Sequence, residues 1–256
     1  MKKPFIYLLS AGLAVSMIAN TGAVEAVSTD SSNATVTFTT PTEAVLPVDP
    51  REPSENYPGI DLENEDNYGL DGNVTGNTGA LTLDYISNIN FEDGDTEAPE
   101  ANVLNSTTLL PSLQVTDRRG TGEGWNVTAK AGEFSLVEDD TNTPTLVGYE
   151  MSFTGAVANS ENGDLLAPVT PNFTLSSNEA VATVASAAAR TDASVTSAQG
   201  VGTWAIGWLA AEGEELNTNI TLTVPQYEAT EGTHSATIDW TLASGPADNH
   251  AELLEE

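Results

Sequence analysis

The residues point to an all-β protein, an antiparallel β-sandwich of Greek-key-like order with long acidic loops. Three observations carry this. From Gly79 onward, apolar and polar side chains alternate in short runs, the period of a half-buried strand. The 21 glycines and 13 prolines fall largely between such runs, as turn signals do. Threonine, valine and aromatics are frequent, whereas a helix-rich chain would carry more Leu, Lys, Glu and Gln.

The elements follow in chain order. Met1-Lys2-Lys3 is a short basic start, Phe5 to Ile18 is almost wholly apolar, and Val24-Glu25-Ala26 is a small-residue cleavage site. Residues 1–26 are therefore expected to be a secretory signal peptide, too short in its apolar run to span a membrane comfortably. Residues 34–39 alternate as a strand. Residues 43–78, with Pro47, Pro50 and Pro53 and an acidic stretch from Asp61 to Asp71, read as a long acidic loop or linker. The clear strands then begin. Leu81, Leu83 and Tyr85 share a face, as do Leu113 and Val115, then Trp125, Val127 and Ala129. Tyr149, Met151 and Phe153 follow, then Trp204, Ile206 and Trp208, then Ile220, Leu222 and Val224. Ile238, Trp240 and Leu242 close the series, and residues 247–256 form an acidic tail. One segment is ambiguous. Asn178 to Arg190 is alanine-rich and suits a short helix capped by Asn178 or Ser177, while its valines suit a strand.

Charge and composition exclude whole classes. The chain carries 38 acidic and 7 basic side chains, a net charge of −31. No basic footprint exists for nucleic acid or for anionic lipid. No cysteine is present, which removes disulfides, thiol nucleophiles, cysteine-ligated metals and a lipoprotein anchor. Only His234 and His250 are imidazoles. No sortase-type LPxTG signal and no second long apolar segment is legible, so neither a covalent anchor nor direct membrane insertion is expected. No nucleophile elbow, phosphate loop or zinc-protease motif occurs, and the chain is not expected to be an enzyme. No cofactor is expected either. The clusters Asp61, Glu63, Glu65, Asp66 and Glu92, Asp93, Asp95 offer hard oxygen ligands of the kind that hold Ca²⁺ or bridge divalent cations, but lack the spacing and glycine of an EF-hand and read by default as solvated acidic loops.

Two segments carry a family resemblance. Leu113-Gln114-Val115-Thr116-Asp117-Arg118-Arg119-Gly120-Thr121-Gly122-Glu123-Gly124-Trp125-Asn126-Val127 resembles the Asp-x-Arg-Gly-x-Gly-x-Gly-Trp segment of the WxL domain of Gram-positive cell-surface proteins, with valine in place of leucine. His234 to Pro246, containing Trp240-Thr241-Leu242, resembles that family's closing strand. Gly79 to Phe91, Gly200 to Trp204, Ile220 to Pro225 and Pro47 to Pro50 are similar to its remaining segments, so the resemblance runs from about Ala34 to Pro246, and residues 27–246 are expected to form the domain. It implies an all-β domain that binds peptidoglycan non-covalently at the wall, in surface complexes with membrane-anchored WxL-interacting proteins. The alternative reading is a secreted adhesion module for host matrix proteins or other partner proteins.

The candidate site residues come from those two motifs. Trp125 and Trp240 suit stacking on a sugar face, yet both stand at inward phase and suit core packing. In the second case Val127 and Leu242 pack with them, and the ligand meets neighbouring polar groups: Asp117, Arg118, Arg119, Asn126, Thr128, Thr241 or Asp239. Arg118 and Arg119 are two of the five basic residues left once the signal is removed. A guanidinium fork grips a carboxylate well, either that of a peptidoglycan stem peptide or that of a nearby acid.

Overall fold

The computed structural model describes residues 32–64, 67–98, 100–138, 143–177 and 180–245. The expected signal peptide and C-terminal tail lie outside these residues. Fifteen strands are present among them: β1 (Gly72–Val74), β2 (Leu81–Ser87), β3 (Asn102–Ser106), β4 (Ser112–Asp117), β5 (Trp125–Ala131), β6 (Phe134–Leu136), β7 (Pro144–Thr145), β8 (Glu150–Phe153), β9 (Val157–Asn159), β10 (Phe173–Ser176), β11 (Ala182–Ala187), β12 (Gly202–Gly207), β13 (Asn217–Val224), β14 (His234–Ser235) and β15 (Ile238–Ser244). The sole helical turn among the described residues is a 3₁₀ turn, Val195–Ser197. None of their helices is long and apolar enough to cross a membrane.

Every ladder between these strands is antiparallel. The orders are β1-β2-β4-β12-β9, β10-β8-β13-β3, β11-β5-β15 and the small β14-β6-β7. The first three sheets close on one core. Leu83, Leu113, Val115 and Ile206 come from the five-stranded sheet, Met151, Phe153, Leu175 and Leu222 from the four-stranded one. Trp125, Val127, Ala129 and Ala131 come from β5, where alternate residues are buried along the whole strand. Phe153 stacks on Phe173 at 4.5 Å, and Trp208 meets Phe153 edge-on at 5.3 Å. Trp204 is buried too, its indole N–H donating to the Val201 carbonyl.

Two expectations need correction and one open alternative is decided. Leu81, Leu83 and Tyr85 do not share a face: a bulge between Leu83 and Tyr85 sets Tyr85 opposite Gln114, so Leu83 enters the main core while Tyr85 packs with Tyr57 and Leu70. Residues 178–190 hold no helix among those described. Ala182–Ala187 is strand β11, paired with β5, and a bulge after Thr183 turns both Val184 and Ala185 inward. Propensity yields here to a ladder that satisfies backbone groups and buries valine and alanine. Residues 34–39 form no strand. Residues 32–38 form no part of the compact unit that begins at Thr39 and carry no regular structure, with Val36 and Phe38 exposed. Alternation marks a possible face but does not supply a paired edge.

Residues 43–57 cover the outer face of the five-stranded sheet. Gln114 holds this strap at two points, accepting from the Val48 amide at 2.8 Å and donating to the Leu46 carbonyl at 3.1 Å. The Asn159 side chain donates to the Pro50 carbonyl, Arg51 to the Ala210 carbonyl, and the Tyr57 hydroxyl to the Leu110 carbonyl. Tyr57, Leu70 and Tyr85 form a second small core beside it. The outward side chains Thr82, Asp84, Gln114 and Thr116 are therefore buried although polar.

Asp84 is the costliest of these to bury: it is 2 % exposed, accepting from Thr116 Oγ1 at 2.6 Å and Gln114 Nε2 at 3.1 Å. Burial pushes its pKa above the ordinary 3.8, against the lowering effect of those hydrogen bonds. A carboxyl raised on folding favours the fold when protonated. That contribution is full below the unfolded value and is lost as pH rises through the folded value. Acidification from pH 7 towards 4 is therefore expected to raise the unfolding midpoint more in the unaltered protein than in Asp84→Asn. Parallel thermal melts across that range, with equal slopes in the two proteins, would refute the assignment.

Candidate functional site

The two tryptophan motifs are neighbours in space. β5 and β15 pair in continuous register, with Ser244 opposite Trp125, Leu242 opposite Val127 and Trp240 opposite Ala129. Segments more than a hundred residues apart thus form one two-stranded surface, which β11 extends on the other side of β5.

The inward face is packing. Trp125 is fully buried, and its indole N–H donates to the Gly200 carbonyl at 2.9 Å. Gly200 has φ +67°, and a Cβ there would sit 2.6 Å from Trp125 Nε1, so only glycine lets the loop close on the ring. Gly124 is constrained in the same way. It has φ +72°, and a Cβ would lie 2.2 Å from the Ala187 carbonyl oxygen. Val127 is also fully buried. Trp240 and Leu242 share this inward phase but are half-buried, because β15 is the edge of its sheet. Trp240 meets Phe153 edge-on at 6.4 Å and Trp208 with the rings tilted by 46° at 6.3 Å.

The charged residues of the proximal motif are engaged within the fold. Arg119 forks onto Asp117, Nε to Oδ1 at 2.9 Å and Nη2 to Oδ2 at 2.7 Å. The same guanidinium donates to the Gly124 carbonyl, to Ser244 Oγ and to Glu123. It therefore ties the glycine loop to the end of β15. Those hydrogen bonds to Asp117 push the Arg119 pKa up. Arg118 points elsewhere, donating to the Glu43 and Gly79 carbonyls and fastening the strap. The two arginines follow the end of β4 at Asp117 and serve different contacts.

The outward face is polar and accessible. Register places Thr128 between Thr183 and Thr241, Asn126 beside Ala243, and Lys130 opposite Asp239. Thr241 and Asp239 are exposed, Asn126 and Thr128 half-exposed. The Asn126 amide also donates to the Gly245 carbonyl and caps the end of β15. This face presents hydroxyls and an amide, with one carboxylate facing one ammonium position. Of its residues, Thr183 was beyond sequence reasoning, since nothing in residues 178–190 says which strand lies beside β5.

Acidic residues elsewhere cap turns. Asp61 Oδ1 accepts from the Glu63 amide, Asp95 Oδ1 from the Glu97 amide, and Glu92 Oε1 from Asn105. Among the described residues no three His, Asp or Glu side chains converge to hold a metal. Glu65 and Asp66 lie outside those residues.

Searches of curated proteins and of solved structures returned no match. A family model does match, over residues 25–246, and its description is WxL domain surface cell wall-binding. That span takes in both tryptophan motifs, the paired strands they form and the core beneath them. The chain therefore belongs to the WxL domain family, a family of surface domains that bind the cell wall.

Proposed function

We propose that the chain is an exported surface protein that holds peptidoglycan non-covalently through the outward face of β5 and β15. It would do so within a complex that includes a membrane-anchored WxL-interacting protein. The observation that carries this reading is the register that sets Asn126, Thr128 and Thr241 side by side on one accessible face. Hydroxyl and amide groups suit the hydroxyls, acetamido groups and peptide bonds of peptidoglycan. On this reading the tryptophans keep that face flat from beneath.

Charge favours the same face. A Gram-positive wall is anionic through its teichoic acids, and a chain of net charge −31 is repelled at long range. Lys130 opposite Asp239 leaves the face locally near neutral, so contact there carries less repulsion than elsewhere. Binding to whole walls is therefore expected to hold or improve as salt screens the repulsion, and to improve with Mg²⁺, which bridges acidic loops to wall phosphates. The test is co-sedimentation of mature protein with washed walls and with peptidoglycan stripped of teichoic acid. Pelleting with both, undiminished between low and physiological salt, is expected. Failure to pellet with stripped peptidoglycan, or a steady fall with salt, would contradict the proposal.

A further inference from the structure

β15 has one free edge. Its ladder to β5 uses one side only. The Gly132 amide donates to the Thr237 carbonyl, and the Gly245 amide to the Gly124 carbonyl. Odd-numbered residues of β15 therefore turn their backbone groups towards β5. Antiparallel alternation sends those of Ile238 and Trp240 the other way. Among the described residues, no strand pairs with that side.

A cleft of about 830 Å³ runs along this free edge. The row Leu104, Leu222 and Met151, adjacent across the four-stranded sheet, lines it with apolar surface, and Phe91 adds an aromatic ring. Ala236 and Thr237, which lead into β15, and Ile238 and Trp240 of β15 itself line it from the other side, the strand part spanning about 10 Å at ~3.4 Å per residue. An open edge over an apolar floor is where an extended segment adds by main-chain pairing, with alternate side chains in the floor. Exposed edges otherwise invite unwanted pairing and are guarded. Among the described residues that line it, the carboxylates are those of Glu92 and Asp93, His234 is the one imidazole, and there is no lysine or arginine. A second copy of the chain would bring another −31 to the edge, so self-pairing is opposed.

We propose that this cleft takes an extended basic strand of a partner protein. Its main chain pairs with Ile238 and Trp240, one face packs on the Leu222 row, and lysine or arginine side chains on the other face reach Glu92 and Asp93. The site is separate from the outward face of β5 and β15, so peptidoglycan pelleting and partner-strand binding succeed or fail independently.

The probe is a capped seven-residue peptide alternating lysine and valine, titrated calorimetrically into the mature chain and followed by amide hydrogen exchange. Expected is one peptide per chain, with exchange slowed at the Ile238 and Trp240 amides. Three peptides are expected to bind at least tenfold more weakly without that protection: one with lysines and valines in separate blocks, one with every backbone amide methylated, and one with glutamate for lysine. Asp93→Asn is expected to weaken the alternating peptide several-fold at low salt with an unchanged unfolding midpoint. Equal binding of the blocked or methylated peptide would overturn the proposal, as would protection elsewhere than β15. A protein dimer held through Ile238 and Trp240 in sedimentation experiments would make a second copy the occupant and overturn it too.

Discussion

Trp125→Ala is expected to lower stability by about 3–5 kcal/mol, the range for truncating a fully buried large aromatic. The ring fills the junction of β5 with β11 and the loop before β12, and nothing near it can collapse cheaply. Gly200 approaches it backbone-first, and the Gly200 carbonyl loses its indole donor while remaining buried. Trp240→Ala is expected to cost less, because its ring is half-buried at the cleft. Denaturant titration of both variants checks this order. A Trp125→Ala midpoint no lower than that of Trp240→Ala would show that the proximal motif is not the keystone of the core.

Arg119→Ala is expected to cost about 3–5 kcal/mol, the penalty for leaving a buried charge without its partner. The Asp117 side chain is 3 % exposed and that of Arg119 11 % exposed, so the carboxylate cannot recover its hydration by a small movement. The Gly124 carbonyl and Ser244 hydroxyl lose a donor in the same change. Arg119→Lys is expected to recover part of the loss, because an ammonium restores the charge without the planar fork. Thermal melts at two salt concentrations separate the terms: a surface pair would weaken with salt, whereas this one should barely respond. Stability unchanged in Arg119→Ala would place the pair among inconsequential surface contacts.

The strands that could be read from the sequence are those with one clean buried face. β5 buries every second residue, β13 does so from Ile220 on, and Ile238, Trp240 and Leu242 of β15 keep the same phase at an edge. β3, β9 and β14 were beyond reach, since Asn102–Ser106 offers one inward leucine, Leu104, and His234–Ser235 has no alternation to detect. Pairing is a non-local property. Nothing along the chain says that Ala182–Ala187 lies beside β5, and that ambiguity hid Thr183. The candidate residues divided for a similar reason. Alternation alone separates Trp125 and Val127 from Asn126 and Thr128. It cannot show that Arg119 closes on Asp117 while Arg118 reaches the Gly79 and Glu43 carbonyls, 39 and 75 residues away.

The central claim is that the outward face of β5 and β15 grips peptidoglycan while the tryptophans hold it flat. The most direct measurement is the affinity of Thr128→Ala/Thr241→Ala for purified peptidoglycan, by pelleting, in a variant whose unfolding midpoint shows it folded. These two side chains stand opposite each other on the accessible face and contribute nothing to the main core. At least a tenfold loss of affinity is predicted. Affinity equal to that of the unaltered protein would contradict the account and move wall binding off this face.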